Sequence, residues 1–391
     1  MNHPPDDAAA LCRQRLGEAA ITIDALWVRV RMAALPADCD SGWKLHLSST
    51  PAAWPGLLAH ALPLLDEAWL PFKCVRDATT LEALNDGAYG AAQAGKAFTI
   101  YPPDEAVAAN LAAQLAEALA RVPGPAIVTD MRYTADAPVY YRFGAFGHHE
   151  RIDALGRRRR RLRLPDGAWV DDPAEEGGPT PVAPRVLPAA PPSDHLAFLR
   201  DASMPVRVLK ASPKGVALLA LARRVPPALC FVKTARAHAA ADVHGRDAAW
   251  ALRREAAWLE RFAGDPALPG TATLHCSPQG DVALVRTQVA GTTLWEALTA
   301  HDAQAPVRQA RLGAALVQLA EAVARWHARG LVLRDLSPSN VLLTEAGVCV
   351  LDLELAHALD DPAPPYRRGT LGFYAPDKAH GAAAERADRK S

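Results

Sequence analysis

Between Gly42 and Ser48 the chain reads Gly-Trp-Lys-Leu-His-Leu-Ser, with apolar and reactive side chains in strict alternation. In an extended strand successive side chains point to opposite faces. Trp43, Leu45 and Leu47 would then face a core, while Lys44 and His46 share the other face. An ammonium beside an imidazole, with no acid in the segment to pair them, suits a site whose negative charge arrives with the ligand. A phosphate would supply it. Further cations stand in comparable segments: Lys73 in PFKCVRD, Lys96 in GKAFTIYP, Arg132, and Arg142 in YYRFGAF. Clustered cations lower one another's pKa, so one lysine can serve as a base near neutral pH. Such a base beside a phosphate suits β-elimination. It takes the α-proton of a phosphoserine or phosphothreonine, a second cation stabilises the enolate, and a protonated His46 assists the departing phosphate.

A second group of residues lies far downstream, in LRDLSPSNVLL and CVLDLELA. Asp335 and Asn340 are five apart, and Asp352 follows behind an apolar run. Phosphoryl transfer needs a carboxylate to receive the substrate hydroxyl proton and oxygen ligands for magnesium. Asp335 suits the first task, Asn340 and Asp352 the second. The spacing resembles the protein-kinase catalytic loop and metal-binding motif, with Leu333 where histidine is usual and Asp352-Leu353-Glu354 in place of Asp-Phe-Gly. Upstream, Lys233 in CFVKTAR would reach nucleotide phosphates, and Glu255 in LRREAAWLERF would hold that lysine. The glycine-rich loop is reduced to Gly215 in KASPKGVALLAL. GTLGFYAPDK resembles the motif that closes a kinase activation segment, with Asp377 where glutamate is usual.

The elements that must position these residues are of mixed type, which predicts an α+β fold. Before residue 171 the expected strands are WKLHLS, PFKCVRD, KAFTIYP, PAIVTD and VYYRFGAF, and the expected helices are AAWPGLLAHALPLLDEAW and DEAVAANLAAQLAEALARV. Residues 171–200 are rich in proline, glycine and acids and read as a linker or domain edge. This divides the chain into domains 1–170 and 201–391. The second domain reads as β-rich, then helical. The run Arg157–Arg161 reads as a solvated turn, with contact to an anionic partner or acidic peptide as the alternative.

GWKLHLS, PFK…RD, GKAFTIYP and YYRFGAF, followed by DLSPxN and DxE, resemble class III lanthipeptide synthetases. In these a phosphoserine/phosphothreonine lyase domain precedes a kinase-like domain. The resemblance implies Lys73 as base, His46 as general acid and Lys44 as enolate or phosphate stabiliser, with Lys96, Tyr101 and Arg142 contacting or positioning phosphate. It also implies ATP or GTP with Mg2+, and a precursor peptide whose Ser and Thr are phosphorylated and then dehydrated. Fourteen residues follow Asp377, so most of a kinase C-lobe and the family's cyclase domain are expected to be lacking. A separate cyclase or a partner completing the C-lobe would then be needed, and the apolar faces of LVQLAEAVARW would lie uncovered.

Bulk composition excludes other classes. Half of the 391 residues are hydrophobic, 22% are charged and the formal charge is zero, which fits a globular chain and argues against nucleic acid as a partner. Six scattered cysteines form no zinc or disulfide pattern. No signal peptide and no membrane-spanning stretch are legible, so a cytoplasmic location is expected. Three alternative readings remain. One is a phosphoserine/phosphothreonine lyase with an impaired kinase half, another a non-catalytic protein that binds nucleotide or leader peptide. The third is a small-molecule kinase of the aminoglycoside-phosphotransferase type, which shares the loop pattern but leaves the Lys-x-His half unexplained.

Overall fold

The computed structural model describes residues 7–366 except 36–38, 148, 177, 179, 190–195, 271 and 301–305, together with residues 369 and 373. Most of GTLGFYAPDK, Asp377 included, lies outside the described residues. The fold is α+β and divides into two units. The first comprises Met1–His195 with Ser212–Lys214 and Arg236–Asp247, and the second comprises Leu196–Ala211, Gly215–Ala235 and Ala248–Ser391.

In the first unit the strands are β1 Ile21–Ile23, β2 Trp27–Val30, β3 Ser41–Leu47, β4 Phe72–Val75, β5 Phe98–Ile100, β6 Met131–Arg132 and β7 Val139–Ala145. They form one sheet in the order β1-β2-β4-β5-β3-β7-β6. Every neighbouring pair is antiparallel. The helices are α1 Ala8–Leu16, α2 Trp54–Glu67, α3 Ala78–Asn85 and α4 Glu105–Ala118. Alternation along the strands sends Leu45, Leu47, Phe72, Phe98, Ile100, Val139 and Tyr141 into a core shared with Leu57, Leu58 and Leu65 of α2 and Leu111 and Leu115 of α4. Each such side chain contributes about 1.5–3 kcal/mol by leaving water. Asp104 caps α4 by accepting from the Val107 amide at 2.8 Å, and its buried positions 108, 111, 112 and 115 make one helical stripe. Because the core takes one face of the sheet, the other is left for polar side chains.

Two expectations need correction here. PAIVTD is a turn, not a strand, and delivers Asp130 to the edge of the sheet. The basic run is no solvated turn. It lies in β9 Arg158–Arg163, the middle strand of a three-stranded sheet with β8 Glu150–Ile152 and β10 Trp169–Asp171. There Arg159 pairs with Asp153 at 3.1 Å. Of the two readings of the proline-rich stretch, the described part up to Leu187 behaves as a domain edge. Glu105 accepts from the amides of Arg185, Val186 and Leu187 at 2.6, 2.7 and 3.0 Å, and Leu187 is buried in the core.

The second unit opens with a five-stranded sheet ordered β11 Ser203–Ser212, β12 Gly215–Ala222, β13 Ala228–Ala235, β15 Val282–Thr287 and β14 Ala272–Cys276. Helix α5 Ala248–Arg261 follows β13, and Glu255 sits in its buried stripe between Leu252 and Leu259. The remaining elements are β16 Thr292–Thr293, α6 Leu294–Thr299, α7 Pro306–Ala328, β17 Leu331–Val332, the hairpin β18 Val341–Leu343 and β19 Val348–Val350, and β20 His357–Ala358. On α7, Leu319, Ala322 and Trp326 are buried, whereas Leu316 and Val317 are 50% and 59% exposed. Among the described residues no helix is long and apolar enough to cross a membrane.

Candidate active sites

Strand register assembles the first site. His46 of β3 and Lys73 of β4 are both paired with Thr99 of β5, from its two sides. Lys73 is in turn paired with Arg29 of β2. Residues paired across a sheet share a face, so Arg29, Lys73, Thr99 and His46 make one transverse row. Two strand spacings place Lys73 and His46 roughly 10 Å apart at Cα. Two positions along, Lys44 is paired with Arg142 of β7. Gly144 keeps the next position open, since a Cβ there would meet the Arg142 Nε at 3.2 Å.

All of these residues but Arg29 line a cavity of about 400 Å³. Lys44, His46, Lys73, Lys96, Tyr101 and Arg142 all contribute to its wall. Arg132 does not. Its Nε donates to the Ala137 carbonyl at 3.1 Å and its guanidinium lies over the Tyr140 ring. Two further wall residues come from stretches whose composition hides them: Arg160 from the basic run, and Asp172 from the stretch taken as a linker.

The acid that the sequence did not reveal is Asp130. Its Oδ2 pairs with His46 Nδ1, its Oδ1 lies 3.2 Å from Lys96 Nζ, and its side chain has no solvent exposure. Arg142 pairs with Asp172 at 2.7 Å. His46 and two of the cations are thus held by buried carboxylates, contrary to the unpaired arrangement expected. Burial and the neighbouring cations govern the site's titration. Lys73 is pushed down to about 8 by burial, Arg29, Lys96 and Arg160. Lys44 is lowered by burial, then by Lys73, Lys96 and Arg142. Burial lowers His46 to about 3 despite Asp130, so the ring is neutral while the cavity holds no anion. Burial pushes the Tyr101 hydroxyl up to about 12. Lys73 Nζ also lies 3.9 Å from the centroid of the Trp27 ring, which walls it from one side.

The second site centres on an ammonium among carboxylates. Lys233 Nζ lies 2.9 Å from Glu255, 2.9 Å from Asp352 and 3.3 Å from Glu354. Burial opposes the charge on Lys233, but the three acids raise its pKa well above the usual value. Glu255 is pushed up to about 7, by burial and by two carboxylates competing for the same ammonium. Oxygens of Glu255, Asp352 and Glu354 all lie within 4.8 Å of one another. Asn340 donates to the Asp335 carbonyl at 3.1 Å, which fixes the loop. Leu333 is buried where the usual histidine would stand. Gly215 has a packing reason: a Cβ there would stand 2.1 Å from the Thr234 carbonyl oxygen, so only glycine lets β12 approach β13 so closely.

Comparison with known proteins places this architecture. Residues 10–187 match the family described as RamC, N-terminal domain. The chain is 31% identical to a probable SapB synthase of Streptomyces coelicolor across 98% of its own length and 43% of the relative's. It therefore spans less than half of that relative. A stretch covering 26% of the chain is 30% identical to the probable serine/threonine-protein kinase PknB of Corynebacterium glutamicum, over 16% of that protein. With a unit that matches the RamC N-terminal domain first and a kinase-like unit second, the chain's likenesses support a class III lanthipeptide synthetase type.

Proposed function

We propose that the chain is a peptide dehydratase acting in two steps. The second unit phosphorylates Ser and Thr of a precursor peptide, and the first eliminates the phosphate to leave dehydroalanine or dehydrobutyrine. The observation that carries this reading is the convergence of Lys44, His46, Lys73, Lys96 and Arg142 on one cavity.

In the first unit the phosphate is held among Lys44, Lys96, Arg142 and Arg160, beside the carboxylates that pair Lys96 and Arg142. Lys73, whose pKa lies near 8, is the base for the α-proton. As the Cα–H bond breaks, the electron pair forms the Cα=Cβ bond and the Cβ–O bond cleaves toward phosphate. Lys44 stabilises the enolate character of the neighbouring carbonyl. His46 gives a proton to the leaving oxygen. A phosphomonoester with a second pKa near ~6 brings the charge that favours the imidazolium, or the proton itself.

In the second unit Lys233, braced by Glu255, orients nucleotide phosphates, and Asp335 receives the substrate hydroxyl proton. Asp352, Asn340 and Glu354 are oxygen donors of the kind Mg2+ prefers. When bound with ATP or GTP, that ion neutralises charge on the migrating phosphoryl group.

A Ser/Thr precursor peptide with nucleotide and Mg2+ tests the order of the steps. Mass spectrometry of the wild type should show dehydrated peptide, and Lys73→Ala should halt at phosphopeptide. Dehydration by Lys73→Ala at the wild-type rate would defeat the proposal.

A further inference from the structure

Glu255 is not the only tie that α5 makes. Its neighbour Arg254 reaches the segment that follows Asp352, where its guanidinium meets Asp361 Oδ2 at 3.1 Å. One turn earlier, the ring of Trp250 lies 6.0 Å from that of Tyr366, and Ala251, Leu355 and Tyr366 share a small buried cluster against Trp250. The same segment also reaches the loop that carries Asp335. His357 and Ala358 of β20 are paired with Val332 and Leu331 of β17. Arg334, buried beside Asp335, donates to the Tyr366 carbonyl at 2.8 Å. Residues 353–366 therefore form a strap, fastened both to the helix of Glu255 and to the loop of Asp335.

We propose that Asp361 is a positioning residue for phosphoryl transfer: through Arg254 it holds α5 where Glu255 braces Lys233. This rests on the kinase reading of the second unit. Successive residues of a helix diverge by about 100° around its axis. Glu255 therefore pins one side of α5 to Lys233 while Arg254 pins another to the strap. A shift of α5 that carried Glu255 away from Lys233 would also pull Arg254 from Asp361.

Both partners are themselves fixed. Asp361 Oδ1 accepts from the Ala363 amide at 3.0 Å. That amide, then Arg254 and His357, hold the carboxyl below its usual range against burial, which keeps it ionised. The Arg254 guanidinium lies 4.9 and 5.8 Å from the centroids of the Trp250 and Trp258 rings, which aim it at the strap. An exposed ion pair contributes little, but here the two side chains are only 24% and 23% exposed. Kinase activation segments that are ordered by phosphorylation gain arginine–phosphate pairs on modification. Residues 353–366 contain no serine or threonine, their tyrosine is buried, and a built-in carboxylate already engages the arginine. The strap therefore needs no phosphate to hold α5.

Isothermal titration of the full chain with ATP and with GTP, each with Mg2+, tests this without a peptide. Asp361→Asn keeps the oxygen that the Ala363 amide uses and replaces only the one that Arg254 uses, so the turn is preserved. It should weaken binding of the better-bound nucleotide about 3- to 30-fold. Arg254→Gln should weaken it similarly, and the double variant should lose no more than the worse single one. In a Glu255→Gln background, where the brace is already gone, Asp361→Asn should add less than about a twofold loss. Unchanged affinity in Asp361→Asn overturns the proposal. So does a full loss in the Glu255→Gln background, which would make Asp361 a structural residue only. A wild type that binds neither nucleotide ends the kinase reading, and the role of Asp361 falls with it.

Discussion

Lys73 and His46 are bound to a single residue, Thr99, from opposite sides of β5. Their separation is therefore a property of the sheet, not of a mobile loop. Two side chains fixed across one strand can straddle a small group such as a phosphate ester, which suits the proposed elimination.

Lys73→Ala should reduce elimination from a supplied phosphopeptide on the order of 10²–10⁴-fold. On a phosphoserine peptide methylated on its phosphate, whose leaving group needs no proton, the wild-type kcat/KM should rise with pH and level off above about 8, where Lys73 loses its proton. Bound phosphate adds negative charge beside the ammonium, so the corresponding limb of kcat should lie higher. A kcat/KM profile flat through this range would remove Lys73 as the base.

Stability should reflect His46 as well. Its pKa is about 3 in the folded protein against an ordinary 6.5. Between these values the unfolded chain binds a proton that the folded chain refuses. The contribution is therefore intact above 6.5 and drains away as pH falls toward 3. In denaturant titrations at about pH 7 and pH 5, His46→Gln should lose less stability on acidification than the wild type. An equal or larger loss would show that His46 is charged in the fold.

Lys233→Met should abolish nucleotide-dependent phosphorylation yet leave elimination from a supplied phosphopeptide intact. Lys233 and its carboxylates belong to the second unit and the cavity to the first. Phosphopeptide and unmodified peptide, followed side by side by mass, separate the two activities. Loss of both would mean the steps share machinery.

Gly215 distinguishes a packing role from a nucleotide role. Gly215→Ala forces a methyl group against the Thr234 carbonyl and should cost about 1–3 kcal/mol in a denaturant titration. A variant of wild-type stability with weakened nucleotide binding would return Gly215 to the phosphate-binding role expected from the sequence.

Much of this was legible because strands alternate. The period-2 pattern of residues 42–48 put Lys44 and His46 on one face before any register was known, and apolar neighbours marked Lys73 and Arg142 as strand residues. Lys233, Glu255 and Asp352 announced themselves through spacing. Asp130 did not, because an aspartate closing an apolar run reads as a turn residue, and its partner is 84 positions away. Arg160 was masked by the arginines around it, and Asp172 by prolines and acids that suggest a free linker. Composition reports average solvation, whereas these two side chains are set by which face of a strand or edge meets the cavity. Burial, which fixes the titration of Lys73 and His46, has no signature in a local window.

The most direct test gives the full chain a synthetic phosphoserine peptide without nucleotide and follows its mass. Loss of one phosphoric acid, leaving dehydroalanine, is the predicted result. A peptide that stays intact, or one hydrolysed back to serine, would contradict the elimination chemistry assigned to the cavity of Lys44, His46 and Lys73.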